Sequence, residues 1–114
     1  MNEVLTLDAM AAPLRALRLL AVDFPHLPAP VVDVNSIYPD RLSLSLHEQN
    51  GAFTAFEAWR AALGIDPAAV DFHVQFDGRT GVLNAEAKYV GATIELTAYT
   101  RVPTTARLST AGVA

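Results

Sequence analysis

Any chemistry in this chain has to come from a small set of residues, His73, Glu86 and Glu95 first among them. Val90-Gly91 reads as a two-residue turn, which sets Tyr89 opposite Ala92, Ala87 opposite Ile94 and Ala85 opposite Leu96. The alternate residues face the other way, so Glu86 meets Glu95 directly. Pairing Phe76 with Leu83 across the next turn adds His73 opposite Glu86. One imidazole and two carboxylates in a row are ligand types for a divalent cation, and two opposed carboxylates can work as an acid–base pair. Opposed like charges cost roughly half a kilocalorie per mole on an exposed sheet. The alternative to a site is two solvated glutamates that borrow charge from Lys88 and Arg101.

The other reactive side chains lack the company that chemistry needs. His47 adjoins Glu48 without His-x-His or His-Glu-x-x-His spacing, and reads as a surface histidine. His26 lies in a proline-rich connector. Ser43 and Ser45 alternate with leucines, outside any nucleophile elbow. Gly78-Arg79-Thr80-Gly81 has neither the lysine nor the following helix of a phosphate loop, so it reads as a hairpin turn. Phe53, Phe56 and Trp59 recur at helical spacing, the mark of core rather than of a pocket. A ligand cavity between helices and sheet, lined by Trp59, Phe72, Phe76 and Tyr89, is a third and weaker reading.

Two helices and five strands must position these groups. Met10, Leu14, Leu17, Ala21 and Phe24 form the stripe of an amphipathic helix over Thr6–Phe24, with Pro13 in its first turn or closing a short turn before it. Pro25, Pro28 and Pro30 end it. Val32 and Val34 pair with Leu42, Leu44 and Leu46 across Tyr38-Pro39-Asp40-Arg41, placing Val34 opposite Leu46 and Tyr38 opposite Leu42. A second helix spans Gly51–Leu63, with Asn50 as N-cap, Gly64 at C′ and a stripe of Ala52, Phe53, Phe56, Trp59 and Leu63. A three-stranded meander follows, alternating about Phe72–Phe76, Leu83–Tyr89 and Ala92–Tyr99. The order αββαβββ predicts an α+β two-layer sandwich, with both helices on one face of an antiparallel sheet of about five strands. Residues 1–102 form one domain; 103–114, beginning Pro103-Thr104-Thr105, read as a flexible tail.

Bulk composition narrows the function. The 114 residues include no cysteine, which excludes disulfides, thiolate nucleophiles and iron–sulfur ligation. The charge of −4 and the scattered basic residues argue against direct contact with nucleic acid. Arg15 and Arg18 interrupt the longest apolar stretch, Leu14–Val22, and no basic segment followed by an apolar run opens the chain, so the expectation is a cytoplasmic protein without a membrane partner. Seven arginines to one lysine suit a high-GC bacterium or a phage or plasmid of one. The expected function is a small acidic protein-interaction or accessory module, without cofactor or evident catalysis, whose partner is another protein or a second copy. Its interface would be the open sheet face: Gln75, Asn84, Thr93, Thr97 and Tyr99, with Arg101 at the rim. The alternative is a small metal-binding protein or enzyme using His73, Glu86 and Glu95.

Overall fold

A computed structural model describes residues 4–47, 52–75 and 78–101. A 3₁₀ turn, Leu7–Met10, leads into helix α1, Ala11–Asp23. Strands β1, Val31–Asp33, and β2, Arg41–Leu46, precede helix α2, Ala52–Leu63. Strands β3, Asp71–Val74, β4, Thr80–Tyr89, and β5, Ala92–Arg101, follow it. The architecture is α+β, as the element order predicts. Asn50, Phe76 and the 103–114 tail lie outside the described residues.

The sheet runs β1-β2-β5-β4-β3 and is mixed, because β2 and β5 are parallel while the other three pairs are antiparallel. This corrects the expectation of a wholly antiparallel sheet. Strand β5 returns to the middle, between β2 and β4, and an apolar period of two sets which face a strand buries without specifying the direction of its neighbour. Leu42, Leu44 and Leu46 align with Ile94, Leu96 and Ala98, and all six are buried. This double row is the floor of the core. Each of its leucines and isoleucines removes enough apolar surface from water to contribute about 1.5–3 kcal/mol.

The helices lie on that floor. Pro13, Ala16 and Leu20 are the buried residues of α1, with Leu17 and Phe24 packed beside them. The stripe is therefore rotated from the one expected, and Leu14 and Ala21 are exposed. The sequence Leu17–Val22 is apolar nearly all round the helix, so its pattern leaves open which flank turns inward, and small Ala16 permits the closer approach to the sheet. In α2, Ala55, Phe56 and Trp59 are buried, whereas Phe53 is 40% exposed, against expectation. Trp59 Nε1 donates to the Pro28 carbonyl at 2.8 Å, tying α2 to the proline-rich connector. The C-terminus of α2 is a Schellman arrangement: Gly64, at φ +72, donates to Ala61, and buried Ile65 donates to Arg60.

Alternation and turn geometry fix the register in different ways. Tyr89↔Ala92, Ala87↔Ile94, Ala85↔Leu96 and Glu86↔Glu95 pair as the Val90-Gly91 turn requires, with φ of +51 and +84 at its two central residues. The two flanking hairpins keep the expected parity and change offset. Val32 lies opposite Leu44, the middle of the leucine row, and Val34 falls outside the paired residues instead of meeting Leu46. The connection is longer than a three-residue loop, because Asn35 builds a turn of its own, accepting from the amides of Ile37 and Tyr38. At the other side Leu83 pairs with Phe72 rather than Phe76, and the chain turns back earlier, with Gly78 donating to Gln75 and Gln75 to Thr80.

Candidate functional site

Odd-numbered residues of β2, β3 and β5 and even-numbered residues of β4 share the face away from the helices. Three neighbouring rows among those that cross it carry most of its polar groups. Ser43, Glu95 and Glu86 form one; Ser45, Thr97, Asn84 and Asp71 form the next; Tyr99, Val82 and His73 form the third. The expected row of His73, Glu86 and Glu95 is therefore not assembled. Glu86 and Glu95 are opposed, but His73 sits opposite Val82, four residues or about 14 Å along β4 from Glu86. Among the described residues no group of three His, Asp or Glu side chains is placed to hold a metal ion. His73 Nδ1 instead lies 3.7 Å from Asp71 Oδ2.

The countercharge for the opposed glutamates is Arg41, which sequence reading left in a turn. Its Nη1 is 3.5 Å from Glu86 Oε2 and 3.4 Å from Glu95 Oε2, and its guanidinium lies over the Tyr38 ring, 5.3 Å from the centroid. The parallel pairing of β2 with β5 brings it there. Ser43 Oγ donates to Glu95 Oε1 at 3.1 Å. Lys88, expected to share this charge, donates to Thr93 Oγ1 at 2.6 Å.

Beside the arginine the open face is hollowed into a trough of about 360 Å³. Hydroxyls of Ser43, Ser45 and Thr97 line it, as do the amides of Gln75 and Asn84 and the side chains of Asp71, His73 and Glu95. Val82 and Tyr99 complete the wall. Asn84 Nδ2 donates to Thr97 Oγ1 at 2.8 Å, which orients both groups. The Tyr99 ring stacks on His47 with centroids 4.8 Å apart. Four of the expected interface residues, Gln75, Asn84, Thr97 and Tyr99, thus border one concavity. Thr93 shares the face beyond it, and the Arg101 side chain lies outside the description, though its backbone pairs with Thr80.

No family model, curated protein or solved structure matches this chain.

The opposite face carries an unexpected feature. Phe72 and Val74 of β3 point to the helix side, yet are 51% and 45% exposed. Phe53 meets Phe72 edge to face at 6.1 Å. With Leu83, Ala58 and Ala61, Phe53 lines an open groove of about 620 Å³ between α2 and β4. Sequence periodicity puts Phe53, Phe72, Val74 and Leu83 on the apolar faces; the lateral position of α2 leaves the β3 side uncovered. No helix among the described residues is long and apolar enough to cross a membrane.

Proposed function

We propose that this chain is a protein-interaction module that pairs with a second copy of itself through the free edge of β3. The observation that carries the reading is the exposure of Phe72 and Val74 on an edge strand whose outer side has no partner among the described residues, beside exposed Phe53. Large apolar side chains on an open edge form a template for strand addition, which proteins otherwise blunt with charge or proline. On the helix side this strand has neither.

The backbone suits a two-fold pairing. Gln75 donates to Thr80 at 2.7 Å, so the odd-numbered residues of β3 turn their amides and carbonyls toward β4. Phe72 and Val74 turn theirs to the free edge. An antiparallel second copy then pairs Phe72 with Val74 in both directions, using all the free groups, and sets His73 opposite its own equivalent on the axis. Phe72, Val74 and Phe53 of both copies close over one apolar patch. Such an isologous contact needs no second surface. The other edge is less suited: β1 is three residues long, with Pro30 before it and Asp33 at its end.

The test is light scattering on a size-exclusion column. Wild type should elute as a dimer and Val74→Lys as a folded monomer, with unchanged far-UV circular dichroism. A monomeric wild type at high micromolar concentration would overturn the proposal.

A further inference from the structure

The trough on the open sheet face borders the β3 edge pairing through Asp71, His73 and Gln75, but lies on the sheet face opposite Phe72 and Val74, and its chemistry selects a different partner. We propose that it binds a neutral polyhydroxylated ligand, a carbohydrate. Its volume of about 360 Å³ falls within the roughly 300–1,000 Å³ of small-molecule sites. Its surface is dominated by short-range hydrogen-bonding groups rather than by apolar ones. Three hydroxyls and two amides offer donors and acceptors at close intervals, and a ligand that matches them must itself alternate donor and acceptor, as a ring bearing several hydroxyls does.

Charge excludes the main competitors. Among the described residues no lysine or arginine lines the trough, while Asp71 and Glu95 do, so a phosphate or carboxylate ligand would meet negative charge there and find no fork to bind it. A protonated amine would find Glu95 already engaged by Arg41 and Ser43. An apolar ligand would strand the hydroxyls and amides without partners.

Two groups are preset for recognition. Because the Asn84 amide donates to Thr97, its carbonyl oxygen is left to accept and the Thr97 hydroxyl hydrogen is free to donate. Tyr99, held by its stack on His47, supplies an aromatic surface in the wall. A sugar ring has one face of C–H groups that packs on such a surface while its hydroxyls reach the polar wall.

Saturation-transfer NMR on the full chain tests this against glucose, galactose, mannose, N-acetylglucosamine, maltose and cellobiose at millimolar concentration, with glucose 6-phosphate and spermidine as charged probes. At least one neutral sugar should show transfer, strongest at the C–H groups of one ring face, and should bind better than either charged probe. Asn84→Ala and the exposed-site variant Gln75→Ala should each weaken it by about tenfold, the worth of a lost hydrogen bond. Val74→Lys, which breaks the edge pairing, should leave the sugar signal in place. No transfer from any of the six sugars, stronger binding of spermidine, or full affinity in both trough variants would overturn the assignment.

Discussion

Glu86 and Glu95 stand directly opposite one another across β4 and β5, and the guanidinium of Arg41 lies within 3.5 Å of both carboxylates. The parallel neighbour β2 thus neutralises a repulsion that the hairpin alone would carry. Arg41→Met should cost about 1 kcal/mol, a modest figure because all three side chains keep contact with solvent. Adding Glu86→Gln should recover most of the loss. Urea unfolding of the two single variants and the double variant gives the coupling energy directly. Equal, additive losses would show that Arg41 acts through its packing on Tyr38 instead.

Val90 carries the one positive φ among the described non-glycine residues, +51. It occupies the first central position of a hairpin turn that asparagine or glycine fills without strain, and a β-branched side chain is poorly suited to that region. Its side chain is 43% exposed, so little packing depends on it. Val90→Asn should therefore stabilise the fold by about 1 kcal/mol, read as a rise of several degrees in Tm. An unchanged or lowered Tm would count against a strained turn.

The alternation of polar and apolar residues specifies parity, and parity is what the sequence made legible. Every strand keeps the face expected of it. Offset is set by turns, and only Val90-Gly91 was short enough to leave a single solution; there the opposed glutamates follow from the sequence. At Asn35 and at Gln75–Thr80 the chain turns by side-chain and backbone bonds that residue types alone do not disclose. A shift of four residues in the partner of His73 preserves parity, so the pattern was blind to it, and the His73–Glu86–Glu95 row went with it. The same blindness hid Arg41, since its role depends on β2 lying beside β5. Phe53 and Phe72 were misread because burial along a strand or helix depends on how far the opposing layer extends sideways.

Tyr89 joins the sheet to α1 by donating its hydroxyl proton to Asp23 Oδ2. That hydrogen bond, with lesser contributions from burial and the nearby negative charge, holds the phenol above its ordinary value of 10.0. A raised value in the folded state means the fold binds this proton more tightly than the unfolded chain does. The contribution is then complete below about pH 10 and is lost as pH rises through the raised value. Urea midpoints measured from about pH 8 to 11 should fall at the alkaline end in wild type, and fall less in Tyr89→Phe. Parallel alkaline losses in both proteins would assign the effect to other groups.

Glu57 and Arg60 give the opposite sign at the acid end. The Arg60 guanidinium, hydrogen-bonded to the Glu57 carboxylate within α2, holds that carboxyl below its ordinary value. The contribution is present above the ordinary glutamate range and is lost as pH falls through the lowered value. The Glu57 side chain is 61% exposed and screened by solvent, so Glu57→Gln should change stability little at neutral pH and flatten a small part of the acid limb. A large loss at pH 7 would contradict a screened surface pair.

The two-fold pairing of β3 makes a sharper demand than dimer mass alone. It places His73 opposite its own equivalent in a pair without mutual backbone hydrogen bonds, where Cα atoms lie about 4.5 Å apart. That separation is within disulfide reach. Because the chain has no cysteine, His73→Cys introduces a single thiol with nothing else to pair with. Under mild oxidation it should form a covalent dimer rapidly and nearly completely, while Thr54→Cys, an exposed position on α2, should cross-link slowly. Adding Val74→Lys to His73→Cys should abolish the difference by dispersing the pair. Equal cross-linking of His73→Cys and Thr54→Cys would mean that the copies meet elsewhere or not at all, since a diffusional encounter between monomers has no reason to favour the centre of β3.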